Sequence, residues 1–342
     1  MSTNMESQMR KLATIQTIHN ISPIKGADNI SVAEVLGWEV VVKNGEYASG
    51  DSVIFCEIDS WIPKSIAPFL CEGKSFNHIL GGRVRTKKLR GVVSQGLILP
   101  LSTLPNLGQY TIGQEVTKEL GIVKWEDPAF LVNRKEAKGD FPFFIPKTEQ
   151  ERVQNLKMVY DQYLNKSYEV TIKLDGSSLT VYSYYDKDSK CDVSGVCSRT
   201  LELKEGNNKY WDCAKKYNII EKLKSTGRGL AVQAEMLDVD IQSNYEKVDS
   251  LQMYVYDIYD IDNKAYLFPE ERRKICNELG LPHVPVICEK YVLKSIKDIR
   301  EYACGEGMNK GVRREGIVLK SVDYYNRFKV TSVDYLLKHK KD

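Results

Sequence analysis

Tyr168-Glu169-Val170-Thr171-Ile172-Lys173-Leu174-Asp175-Gly176-Ser177-Ser178-Leu179-Thr180-Val181-Tyr182-Ser183-Tyr184 carries the decisive pattern of this chain. Residues 168–173 and 178–184 are rich in β-branched and aromatic side chains and read as two strands. Asp175-Gly176 between them reads as a turn. A strand therefore delivers Lys173 to a glycine-containing turn, in the pattern K-x-D-G. Average residue usage produces that pattern by chance in roughly one chain in ten of this length. A surface hairpin with a solvated lysine explains it about as well, so the segment alone decides nothing and its meaning depends on residues further along the chain.

Downstream, in order, come Ser198-Arg199, then Ala231-Val232-Gln233-Ala234-Glu235-Met236-Leu237, then Tyr254-Val255-Tyr256-Asp257-Ile258-Tyr259, then Glu315-Gly316-Ile317-Val318-Leu319-Lys320, and last Phe328-Lys329-Val330. An unpaired carboxylate is expensive to bury in an apolar strand, so Glu235 points to a paired or functional role. With Lys173, these six segments in this order resemble the covalent nucleotidyltransferase superfamily of ATP-dependent ligases and mRNA-capping enzymes. They span residues 173–330, about half of the chain. The resemblance implies ATP as the donor of a covalently held AMP, with Mg²⁺ or Mn²⁺ as metal.

The chemistry explains why such residues are needed. An amine attacks phosphorus only when unprotonated, so a nucleophilic lysine needs a lowered pKa, which a nearby cation provides. The resemblance makes Lys173 the nucleophile, Lys329 and a divalent metal its perturbers, and Asp175 the residue that orients it. The α-phosphate gathers negative charge during displacement and calls for cations and positioning. Mg²⁺ and Mn²⁺ prefer oxygen ligands and keep waters. The resemblance assigns the metal to Glu315, Asp175 and Glu235, with Glu235 also near the ribose. It places Tyr256 on the adenine face, where stacking contributes roughly 1–3 kcal/mol. Arg199 matches a ribose- or phosphate-binding arginine, and Lys320 and Lys329 match lysines facing the α-phosphate. One departure stands out. Many relatives end with lysines two apart, whereas here the stretch is Lys329-Val330-Thr331. Lys320 or an arginine such as Arg327 is then left to supply the second charge.

At 342 residues the chain calls for two domains. Its 42% apolar and 28% charged residues are those of a soluble globular protein, and a net charge of only +3 makes any phosphate-binding surface local. No apolar run spans a bilayer, and polar residues 1–10 lack a signal segment. An intracellular protein is expected, with no membrane contact, no obligate protein partner, and a monomeric state. The eight cysteines form no C-x-x-C pair, which argues for free thiols rather than zinc or redox chemistry. His19, His78, His283 and His339 lie far apart and support no metal site or triad.

Residues 13–18, 31–36, 39–42, 52–57 and 96–99 are short apolar runs separated by turn signals, a spacing that predicts a small barrel or sandwich. Residues 121–146 form a proline-marked connector without one regular element. Beyond it, residues 230–237, 251–259, 316–320 and 326–331 read as strands. Residues 208–225 read as one helix with Trp211, Ala214, Tyr217 and Leu223 near one face. Pro269 opens a helix that Gly280 and Pro282 close, and Ser295 with Asp298 caps another.

DNA ligases and capping enzymes carry an oligonucleotide-binding barrel after the last motif. Here thirteen residues come after Lys329, and the β-rich module comes first. That order resembles nick-sealing RNA ligases of the Deinococcus and Naegleria type. The stretch Gly82-Arg83-Val84-Arg85-Thr86-Lys87-Lys88-Leu89-Arg90-Gly91 resembles their N-terminal module. Pro146-Lys147-Thr148-Glu149-Gln150-Glu151-Arg152 resembles the segment bordering the adenine pocket, where Glu149 and Arg152 contact the nucleotide. The expected fold is α+β: an N-terminal OB-like β-barrel at residues 1–120, the connector at 121–146, and at 147–342 a nucleotidyltransferase domain of antiparallel sheets flanked by helices. The implied substrate is nicked duplex RNA. Arg83, Arg85 and Lys87 alternate, so one strand face would present them to phosphates. The enzyme alternative is a GTP-using capping guanylyltransferase; the non-enzyme alternative is an RNA-binding relative without activity.

Overall fold

The computed structural model describes residues 10–71, 80–106, 108–125, 134–148, 150–323 and 326–338. Two compact units divide the chain. The first takes residues 1–127, 153–161 and 336–342, the second residues 128–152 and 162–335.

The first unit is all-β. Strands β1 (Ala13–Pro23), β2 (Ile30–Val35), β3 (Trp38–Lys43) and β4 (Ser52–Cys56) come first, followed by β5 (Ser60–Pro63), β6 (Gly81–Arg83), β7 (Lys87–Leu89), β8 (Val92–Ser94), β9 (Leu97–Pro100) and β10 (Val123–Lys124). The main sheet has the order β3-β2-β1-β4-β9, and a smaller one the order β10-β5-β6. β1 serves two neighbours in turn. Residues 13–17 pair with β4 and residues 18–23 with β2, with a register shift between Ile18 and Asn20. Such a bulge bends and twists a strand, which rolls the sheet into the expected OB-like barrel. Ile15, Trp38, Ile54, Phe55 and Ile62 fill its interior. Residues 153–161 belong to this unit because Asn155 accepts the Trp38 indole N–H at 2.6 Å and donates to the buried Glu57.

The basic stripe expected on one strand is divided between two. β6 ends at Arg83 and β7 begins at Lys87. Side chains still alternate outward, Arg83 and Arg85 half-buried and Lys87 exposed, with Val84 and Thr86 buried. Arg83 is bonded to Asp59 at 2.7 Å and lies over Trp125.

The second unit stacks two sheets. Its strands are β11 (Ala137–Asp140), β12 (Glu151–Arg152), β13 (Ser167–Lys173), β14 (Ser177–Asp186), β15 (Cys191–Cys197), β16 (Leu201–Leu203), β17 (Leu230–Leu237), β18 (Gln252–Asp260), β19 (Ala265–Tyr266), β20 (Val286–Val292), β21 (Gly316–Ser321) and β22 (Arg327–Thr331). Its helices are α1 (Lys209–Lys216), α2 (Ile219–Ser225), α3 (Pro269–Glu278) and α4 (Ile296–Tyr302), and α5 (Val333–Lys338) comes last. One sheet runs β11-β16-β15-β14-β17-β18-β19, the other β12-β22-β21-β13-β20. The pairings are antiparallel except β12 with β22. α1 and α2 bury Cys213, Ala214, Ile219 and Leu223 on the first sheet.

Residues 208–225 fold as two helices rather than one. Asn208 caps α1 by accepting the Trp211 N–H at 3.0 Å, and Asn218 then takes φ of 50°, a left-handed conformation that asparagine tolerates and a helix does not. α4 opens with the expected capping box of Ser295 and Asp298. All eight cysteines are free thiols. Among the described residues no helix is long and apolar enough to cross a membrane.

Candidate active site

β13 and β14 do not form a hairpin. β13 pairs with β20 and β21, while β14 pairs with β15 and β17. The Leu174-Asp175-Gly176 turn therefore steps from one sheet to the other. It leaves Lys173 at the mouth of the space between them, above a small apolar floor of Ile172, Leu174, Leu237 and Val284. Gly176 is required at this step because a Cβ would collide with the Met236 carbonyl oxygen.

Register then gathers the charged side chains. Lys173 pairs with Gly316, and Gly316 with Thr331, so these three share a row; Lys329 sits opposite Val318, two residues along the ladder. Lys173 Nζ donates to Glu315 Oε2 at 2.6 Å. Glu235, from β17 across the gap, accepts the Gly176 N–H at 3.0 Å. Glu246 accepts the Asp175 N–H at 3.3 Å. One lysine thus stands among four carboxylates from four separate segments.

The electrostatics are set by that composition. Burial works to lower the Lys173 pKa, but Glu315, Glu235 and Asp175 outweigh it and hold it above its ordinary value. Anions rather than cations crowd the amine in the bare chain, which is the balance that a divalent metal and Lys329 would have to offset. The same burial, reinforced by the neighbouring carboxylates, lifts Glu235 to about 8 and Glu246 to about 7, and raises Glu315. An acid-rich site that suppresses its own ionisation suits a divalent cation. All the donors are oxygens, the kind Mg²⁺ and Mn²⁺ prefer. Among the described residues no three such side chains converge closely enough to chelate an ion unaided, so the fit is to an ion that keeps its waters.

Tyr256 lies on β18, its hydroxyl 3.0 Å from both Thr148 and Ser178. Behind it lies a buried ionic network. Lys320 bonds Asp257 at 3.0 Å and the Tyr256 carbonyl oxygen, with its ammonium 5.7 Å from the Tyr256 ring centroid. Arg327 bonds Asp257 at 2.9 Å. Arg272 and Arg273 both bond Glu169, and Arg272 also donates to His283 at 2.9 Å. Burial lowers Lys320 to about 7 against the pull of Asp257. Lys320 and Arg327, the two candidates to replace the missing second lysine, are thus both engaged with Asp257.

Arg152, buried in β12, pairs with Lys329 across the parallel ladder. Arg199 occupies the exposed turn from β15 to β16, two residues beyond Cys197, which pairs with Thr180; it reaches the same end of the sheet as Ser178 and Glu235. Glu149 lies outside the described residues. Sequence reasoning gave no role to Thr148 and Ser178, although both lie within segments it singled out. It also missed Glu246, which sits in Asn244-Tyr245-Glu246-Lys247-Val248 with no periodicity or motif to mark it.

An OB barrel preceding two facing sheets around a lysine and carboxylates defines a nucleotidyltransferase of the polynucleotide ligase class. Comparison with family models matches an OB-fold domain over residues 12–101 and RNA ligase over residues 166–332. Among solved structures, an alanine variant of the Naegleria gruberi RNA ligase with ATP and Mn is 41% identical, with a TM-score of 0.90, covering 97% of this chain and 100% of that one. The Naegleria gruberi enzyme with PPi matches at 41% identity and a TM-score of 0.89, covering 97% of this chain and 99% of that one. A search of curated proteins gives no match. The chain belongs to the RNA ligase family.

Proposed function

We propose that this chain is an ATP-dependent RNA ligase that joins 3′-OH and 5′-phosphate ends through AMP held on Lys173, at nicks in duplex RNA or RNA-containing duplexes. The observation that carries the reading is the convergence of Lys173, Glu315, Glu235 and Asp175 at a turn between two sheets, with Tyr256 on the facing sheet. The Naegleria gruberi relatives, crystallised with ATP, AMP, Mn or PPi, support ATP and a divalent metal as what this site takes.

Lys173 Nζ attacks the α-phosphorus; an N–P bond forms and the bond to pyrophosphate breaks. The amine must first shed a proton, and Glu315 Oε2 is the acceptor within hydrogen-bond reach. Bound Mg²⁺ or Mn²⁺ supplies positive charge against the α-phosphate, and Glu315, Asp175 and Glu235 would hold it through its waters. Tyr256 stacks on adenine, while Arg152, Arg199 and Lys329 position the phosphates and ribose. A 5′-phosphate oxygen then attacks the same phosphorus, the N–P bond breaks, and AMP caps the RNA end. A 3′-OH finally attacks the 5′-phosphate and AMP leaves. The outward Arg83, Arg85 and Lys87 of the OB barrel suit a phosphate backbone.

Intact-protein mass spectrometry after incubation with ATP and Mn²⁺ tests the reading. One AMP should appear on Lys173 and be absent from Lys173→Ala, and nicked RNA duplexes should be sealed. An adduct formed with GTP alone, or none with either nucleotide, would overturn it. Light scattering should report a monomer.

A further inference from the structure

We propose that Glu246 is a positioning residue for the nucleophile, acting through the backbone of the turn that carries Lys173; the inference rests on the adenylylation reading above. Two consecutive amides come after Leu174, and each is held by a carboxylate. Asp175 N–H donates to Glu246 Oε1 at 3.3 Å, and Gly176 N–H donates to Glu235 Oε1 at 3.0 Å. Glu246 and Glu235 come from different segments, so they grip the turn from two sides. A turn that crosses between sheets has no hairpin partner to satisfy these amides, and a buried unsatisfied N–H is costly. The two carboxylates replace the missing ladder.

Glu246 is itself held firmly. Its carbonyl oxygen accepts the Asn309 side-chain N–H at 2.7 Å. The loop that carries it is closed by Asn244, whose side chain donates to Val248 O at 2.7 Å and accepts Val248 N–H at 2.8 Å. The side chain is 1% exposed, and Oε2 has no hydrogen-bond partner among the described residues. Packing alone would favour an apolar residue there, because burying an incompletely bonded carboxylate is expensive. What the carboxylate does contribute is an acceptor fixed on the amide two residues beyond Lys173. Misplacing a reacting atom by 1 Å costs on the order of 10²-fold, so loosening the turn should slow the chemical step.

Single-turnover adenylylation, with labelled ATP and Mn²⁺, separates the possibilities. Glu246→Ala should lower the maximal rate at least about tenfold while leaving half-saturating ATP within about threefold, the signature of a lost transition-state interaction. Glu246→Gln keeps an acceptor and should stay within about threefold of the parent rate. Should the alanine variant fail to fold, Glu246→Asp, which withdraws the acceptor while keeping charge, should show the rate loss instead. An unchanged rate in the alanine variant, an equal loss in the glutamine variant, or a change confined to half-saturating ATP would each overturn the proposal. Failure of the parent protein itself to form an adduct would sink the ligase reading; a labelled parent beside an equally fast alanine variant sinks only this inference.

Discussion

Glu169→Gln should destabilise the second unit severely while leaving its chemistry intact. Glu169 is fully buried on β13, four residues before Lys173, and bonds both Arg272, 1% exposed, and Arg273, 25% exposed. Glutamine fills the same volume but removes the anion. Arginine cannot escape by losing a proton, so Arg272 is left as a buried cation with Asp257 at 3.7 Å as its remaining counter-ion. Asp257 is already shared with Lys320 and Arg327. Breaking a buried pair from one side costs about 3–5 kcal/mol. At roughly 2–4 °C per kcal/mol for a unit of this size, the melting temperature should fall by about 6–20 °C.

Scanning calorimetry reads the shift. Lys224→Ala, which removes an exposed bridge to Glu221, serves as the control and should leave the melting temperature nearly unchanged. The double substitution Glu169→Gln/Arg272→Met removes both charges and should be more stable than the sum of the single effects, by about 0.5–3 kcal/mol. Below its transition, Glu169→Gln should still form the lysyl adduct at near-parental rate. A fall of under about 2 °C, or strictly additive single effects, would refute the claim that this network is held by its charge balance.

Three further outcomes are expected from the same geometry. Tyr256→Ala should raise half-saturating ATP about 5- to 150-fold, the equivalent of roughly 1–3 kcal/mol of stacking, whereas Tyr256→Phe, which loses only the contacts to Thr148 and Ser178, should change it less than about tenfold; titration of the adenylylation rate against ATP decides. Gly176→Ala should abolish adduct formation, or fold only with a displaced turn, because its Cβ has no room beside Met236; mass spectrometry and circular dichroism check this. His283 is held near pKa 4 by burial and by the positive charge of Arg272, whose N–H its ring accepts. Its folded pKa lies below the unfolded value, so the unfolded chain binds more protons between about 4 and 6.5 and stability is lost as pH falls through that window, by at most about 3 kcal/mol. His283→Gln should flatten that part of the melting-temperature profile.

Strand positions were legible wherever local side-chain character decides them. β17 was read at its observed bounds, Leu230–Leu237. What escaped were facts set by distant partners. Nothing local separates a hairpin at Asp175-Gly176 from a step between sheets; that depends on β21 being available to β13 and β17 to β14. The break at Asn218 escaped because apolar spacing runs on through it.

The replacement of a second lysine by Thr331 gains meaning only from register. Thr331 shares a row with Lys173 across Gly316, which carries no side chain and whose missing Cβ leaves the Val330 carbonyl oxygen its place. A hydroxyl at the end of that row leaves the charge balance around Glu315 more negative than a lysine would. With Lys320 and Arg327 bound to Asp257, the cations that the ladder sets nearest are Lys329, two residues from Thr331 on β22, and Arg152, its partner on β12. Positive charge at this face is therefore concentrated on the β12–β22 edge. The carboxylates come from the turn (Asp175), from β17 (Glu235), from the loop closed by Asn244 (Glu246) and from the residue before β21 (Glu315), so Lys173 is ringed by acid from both sheets, and it is this acid that a bound metal would offset.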